Sequence, residues 1–126
     1  MGAWIAVAVG GALGSLARFW MTAYVADLTG PRFPWGTLAI NILGSLVIGL
    51  VAGFTLQNAR GSAMHADIRI FLMTGICGGF TTFSAFSLQT VGLLQAGEIL
   101  SAAGYAVGSV ILCVVATFAG LALGAL

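Results

Sequence analysis

Four long apolar runs, parted only by short polar connections, dominate this chain of 126 residues. A helix needs about 20 mostly apolar residues to cross the hydrocarbon of a bilayer, so the length admits four crossings and leaves no room for a soluble domain. Charged residues make up 6% of the chain and hydrophobic ones 60%, whereas a soluble domain carries about 25% charge. The fold class expected is an all-α integral membrane protein, one compact domain over residues 1–126. Strands are excluded by pattern, because no ten-residue window alternates with period two.

The runs place spans at about 3–26, 35–57, 68–94 and 99–126. Asp27, Gly30, Pro31 and Pro34 make the first connection a turn that no helix would cross. Asn58, Arg60, Gly61, Ser62, His65 and Asp67 make the second and most polar one, and Gln95, Gly97 and Glu98 make the third. The third span is long for one straight crossing, and Gly78-Gly79 near its middle marks the expected interruption between two half-helices. In hydrocarbon, irregular backbone survives only where protein buries it or where it lines a polar cavity. A broken span is therefore a candidate ion or substrate site.

Charge narrows the partners. The net charge is +1, and Arg18, Arg32, Arg60 and Arg69 form no patch able to neutralise a row of phosphates, which argues against nucleic acid. No charged side chain precedes the first apolar run as a signal peptide would require, so that run is expected to stay as a helix. Arginines fall on both sides of the membrane, and the usual excess in cytoplasmic loops nearly cancels. A chain without preference inserts both ways, and two opposed copies can pair as an antiparallel, dual-topology homodimer. Small-xxx-small pairs at Gly10/Gly14, Gly49/Gly53, Gly75/Gly79, Gly104/Gly108 and Gly120/Gly124 suit close helix packing on several faces. Cys77 and Cys113 read as small core residues, and His65, beside Asp67, as exposed or locally bonded.

Thr37, Asn41, Ser45, Gly49 and Gly53 recur every fourth residue on span two and share one face. That face is either a helix seam with Asn41 as interhelical glue or the lining of a pathway. Past the interruption, Phe83 and Phe86 are three apart, as are Ser84 and Ser87, which sets an aromatic strip beside a hydroxyl strip. Phenyl rings have positive edges, so rings held edge-on beside hydroxyls can receive a small anion and still release it, as conduction requires. Asp27, Asp67 and Glu98, the only carboxylates, lie in or beside connections, so none is placed to carry a proton or cation across. Arg18 is the one charged side chain well inside a span, either snorkelling to the interface or drawing anions to a vestibule. There is no nucleophile triad, metal cluster or phosphate loop, which argues against an enzyme.

Over nearly its whole length the chain resembles the bacterial fluoride channels of the Fluc family, also called CrcB proteins. The resemblance rests on Gly10-Gly11-Ala12-Leu13-Gly14-Ser15-Leu16-Ala17-Arg18, Gly36-Thr37-Leu38-Ala39-Ile40-Asn41, Gly78-Gly79-Phe80-Thr81-Thr82-Phe83-Ser84-Ala85-Phe86-Ser87, and Gly104-Tyr105 with Ser109. It implies an antiparallel homodimer in the bacterial inner membrane, with two pores that passively release fluoride from the cytoplasm and lower its toxicity. Carried over by motif, Phe83 and Phe86 flank the fluoride path, Asn41 donates its amide, and Ser84, Thr82, Tyr105, Ser109 and Arg18 supply further contacts. It also implies a structural sodium ion at the dimer centre, held by the backbone carbonyls of Gly78 and Thr81. The chain departs from the family at Gln89, where a glutamate is common. The alternative is a proton-coupled small multidrug exporter, which shares length and span number but needs a membrane-embedded carboxylate.

Overall fold

The computed structural model describes residues 2–58 and 66–126. Arg60, Gly61, Ser62 and His65 lie outside the described residues, and with them the expectations for Arg60 and His65. The described chain is helical: α1 (Gly2–Thr29), α2 (Trp35–Asn58), α3 (Ala66–Ile70), a π-helical segment (Phe71–Cys77), α4 (Gly78–Phe80), α5 (Phe83–Gln95) and α6 (Ile99–Gly124). Taking Ala66–Gln95 as one run, four helical stretches are long and apolar enough to cross a membrane. Large side chains such as Trp4, Phe19, Leu100 and Phe118 point outward, the arrangement hydrocarbon permits and water would penalise.

Turn chemistry sets the ends. Gly97, at φ 77°, follows α5 in a Schellman arrangement, with Gly97 N–H donating to Leu94 O at 3.0 Å and Glu98 N–H to Leu93 O at 2.9 Å. Pro31 and Pro34 occupy the connection between α1 and α2, where a helix could not continue.

Glycines determine how the helices meet. The most extensive packing joins α2 to α6. There Gly49 and Gly53 lie against the backbone around Thr117 and Leu121, while Gly120 and Gly124 lie against Leu46 and Leu50. The π-helical segment packs on α1, and a Cβ at Gly10 would stand 2.7 Å from Phe71 O. Backbone contact this close needs residues without side chains, the device that replaces hydrophobic drive between helices in lipid. Four of the five small-residue pairs thus pack inside the chain. Gly104 and Gly108 do not, having nothing within 4 Å.

Near the middle of the third span the double glycine is itself helical, with Gly78 at φ −64°, ψ −36°. The departure comes three residues later, at Thr81 (φ −84°, ψ 159°) and Thr82 (φ −151°, ψ 118°). Two physical causes move it there. Gly79 is needed in the helix for close approach to α1, since a Cβ on it would stand 2.5 Å from Gly11 O. Thr82 then caps α5, its Oγ1 accepting from Ala85 N–H at 3.2 Å.

Candidate functional site

Two extended residues within a membrane span leave peptide groups that lipid cannot satisfy. Asn41 of α2 closes most of that deficit. Its Oδ1 accepts from Thr82 N–H at 2.8 Å, and its Nδ2 donates to Thr82 O at 3.1 Å. Thr81 N–H donates to Cys77 O at 3.0 Å, and the Thr81 hydroxyl donates to the same oxygen at 2.9 Å. Arg18 of α1 reaches in from the other side, with Nη1 3.5 Å from Thr81 O. Asn41 is thus interhelical glue, and because a primary amide carries two N–H bonds, one remains beyond the bond to Thr82 O.

The clasp has a second effect. In a continuous helix the N–H of Thr82 would donate to Gly78 O, four residues back. Asn41 takes that N–H instead, so the Gly78 carbonyl loses its regular helical partner.

Beside the interruption lies a cavity of about 370 Å³, and Asn41, Gly78, Thr82, Phe83, Phe86 and Ser109 are among its lining residues. Thr81, Cys77 and Cys113 line it too. The rings of Phe83 and Phe86 have centroids 5.4 Å apart at 44°, so neither stacks flat on the other. Ser109 is 6% exposed, and its hydroxyl is the one buried side-chain polar atom without a hydrogen-bond partner among the described residues. Such a group costs about 1–3 kcal/mol if left unmatched, which marks the place where a polar guest would be stabilised.

The remaining candidates take other positions. Ser84 is exposed at the start of α5, with its Oγ 3.4 Å from Thr82 Oγ1. Ser87 donates to Phe83 O at 2.9 Å, so the hydroxyl strip expected along α5 is partly turned onto its own helix. Tyr105 lies behind the Phe86 ring, centroids 5.0 Å apart, and does not line that cavity. Its hydroxyl donates to Gln89 Oε1 at 2.8 Å, while Gln89 Nε2 donates to Thr37 Oγ1 at 2.9 Å. Phe33 also meets the Tyr105 ring edge-on, centroids 5.3 Å apart. An aromatic file, Phe83, Phe86, Tyr105, Phe33, therefore runs from the interruption to the connection between α1 and α2. Phe33 carried no signal in the sequence, since a phenylalanine between two prolines reads only as a turn residue.

At that end a second cavity, of about 340 Å³, is lined by residues that include Thr22, Arg32, Phe33, Thr37 and Gln89. Asp27, Asp67 and Glu98 all sit exposed at helix ends, and none lines either cavity.

Fold and site together define a multi-pass membrane protein with a cavity of rings, hydroxyls and one amide, free of carboxylates, beside an interrupted helix. A family model described as CrcB-like protein, Camphor Resistance (CrcB), matches residues 5–121, and the chain belongs to that family. It is 55% identical over 117 residues to the Fluoride-specific ion channel FluC of Nitrobacter winogradskyi, covering 93% of this chain and 90% of that protein. It is 46% identical over 114 residues to the protein of the same name from Methylocella silvestris, covering 90% and 86%. A third relative of that name, from Agrobacterium fabrum, is 47% identical over 118 residues, covering 94% and 92%.

Proposed function

We propose that this protein is a fluoride channel that lets the anion leave the cytoplasm passively across the bacterial inner membrane, lowering its toxicity. The observation that carries the reading is the shared lining of one cavity by Asn41, the Phe83 and Phe86 rings and the unpartnered hydroxyl of Ser109. Each offers a partial positive charge: one spare amide N–H, two ring edges and one O–H. Together they replace part of the hydration shell of a small anion without a full charge to trap it. An inside-negative potential contributes about 2.3 kcal/mol per charge per 100 mV toward exit, so neither ATP nor a proton is required.

The working unit in this reading is an antiparallel homodimer of two inversely inserted copies, with the third span acting as two half-helices. Phe83 is 76% exposed on the single chain, and a second copy laid against the interruption would enclose the ring pair. Gly104 and Gly108, with open space before them, give α6 a smooth outer surface for that copy. A sodium ion at the dimer centre belongs to the same proposal. The Gly78 carbonyl, freed by the Asn41 clasp, fits a hard cation in donor type. Thr81 O would be shared with the Arg18 guanidinium. The ion would neutralise exposed carbonyl dipoles and join the two copies.

The test is fluoride efflux from liposomes holding the purified protein, compared with chloride. We expect fluoride-selective efflux that Phe83→Ile and Asn41→Asp both impair. Efflux no faster than from empty liposomes would remove the channel reading, and proton-driven uptake of an organic cation would replace it with the exporter.

A further inference from the structure

Gln89 sits where three elements meet, on α5 with Thr37 of α2 and Tyr105 of α6 as its bonded partners. Thr37 is 2% exposed and Tyr105 1%, so both partners are inside the protein, while Gln89 itself is half-buried. Gln89 and Thr37 also line the second cavity, with Arg32. A count of protons shows what the amide does there. Its oxygen accepts the Tyr105 proton, and one of its two N–H bonds goes to Thr37. The other N–H is left over. A carboxylate in the same place would have no N–H to give, and both hydroxyls would have to turn their protons onto it.

We propose that Gln89 is an anion-contacting residue of this second cavity, its spare amide N–H being a neutral donor that receives fluoride whatever the pH. The proposal rests on the fluoride reading above and adds a second contact point to it. Arg32 supplies the long-range attraction, and the amide supplies a short-range bond that does not hold the ion as a second charge would. The titratable or charged groups around Gln89 are Tyr105 from α6 and Arg32 from the connection between α1 and α2. The α1 and α2 residues lining the cavity, Thr22, Ala26, Thr29, Trp35, Gly36 and Thr37, carry none. Neither a phenol nor a guanidinium ordinarily changes charge between about pH 6 and 8.5. Loading of this mouth is therefore pH-independent in this chain, and a carboxyl group at the same position makes it titrate.

The test is fluoride efflux from proteoliposomes between about pH 6 and 8.5, with the leak of protein-free liposomes subtracted, for wild type, Gln89→Glu and Gln89→Leu. Wild type is expected to be flat. Gln89→Glu should approach it toward the acid end, as the carboxyl takes up its proton, and fall at least about tenfold as the acid ionises, the loss of a hydrogen bond to a charged group. Gln89→Leu should be slow and flat throughout, which separates a lost donor from an added charge. A Gln89→Glu profile as flat and as fast as wild type overturns the proposal while leaving the channel reading standing. A wild-type flux that titrates in this range also overturns it, without reference to any variant. Absence of wild-type flux removes the channel reading and this proposal together.

Discussion

Replacing Asn41 with aspartate exchanges one NH₂ for one oxygen and leaves the shape of the side chain unchanged. The bond from Thr82 N–H to Oδ1, 2.8 Å long, survives. The bond to Thr82 O, 3.1 Å long, is lost, and two oxygens now face each other there. Loss of the bond alone costs about 1 kcal/mol. The larger effect is on the ion: a carboxylate about 5 Å from a passing anion, at an effective dielectric of about 20, raises its energy by about 3 kcal/mol. Flux should fall about a hundredfold or more, at about 1.4 kcal/mol per factor of ten. Flux should recover as pH falls, because a protonated carboxyl can again donate to Thr82 O.

Asn41→Leu separates the two jobs of this residue. It adds no charge but strands both Thr82 N–H and Thr82 O, each at about 1–3 kcal/mol, so it should lose roughly 2–6 kcal/mol of stability as well as flux. The assays are fluoride-electrode efflux from proteoliposomes and retention of the folded species on size exclusion after heating in detergent. Asn41→Asp at neutral pH should stay folded and conduct poorly, and Asn41→Leu should do neither. Flux through Asn41→Asp within a factor of about three of wild type would mean that no anion passes near this amide, since the Coulomb term alone predicts far more.

Three further outcomes follow from the same geometry. Ser109→Ala removes a buried hydroxyl that has no partner among the described residues, so thermal stability should hold or rise by about 1 kcal/mol while fluoride efflux falls several-fold. Phe83→Ile should leave the elution profile unchanged and slow fluoride efflux, since a branched alkyl group has no positive edge. Gly75→Val should yield little monodisperse protein, because a Cβ at Gly75 already stands 2.9 Å from Gly10 Cα.

The four crossings were legible because lipid imposes a one-dimensional rule, an apolar run of sufficient length, that needs no knowledge of tertiary contacts. The Phe83 and Phe86 pairing was legible for a similar reason, being fixed by spacing along one helical turn. The position of the extended residues was not. Glycine signals both a weak helix and a close approach, and at Gly79 the approach to Gly11 keeps the helix intact past the residues that looked most able to break it. What stabilises the extended pair is Asn41, 41 residues away in sequence, and no local pattern reports such a partner. The cluster of Thr37, Gln89 and Tyr105 was hidden in the same way, since its members come from three different helices.

Asn41 ties the formation of the site to its chemistry. The clasp on Thr82 satisfies two of its peptide groups, N–H and C=O, diverts the helical partner of Gly78 O, and still leaves Asn41 one N–H beyond the clasp, on a residue that lines the same cavity as Phe83, Phe86 and Ser109. An arginine in its place would leave a full charge in the cavity and hold an anion too well to release it. A threonine hydroxyl would spend its only proton on Thr82 O and have no donor left over. Glutamine would add a methylene that the 2.8 Å and 3.1 Å bonds leave no room for. Of the neutral side chains, only asparagine is short enough to hold both groups of one residue and still keep a donor. The one side chain thus keeps the helix interruption stable in lipid and leaves the cavity lining without charge.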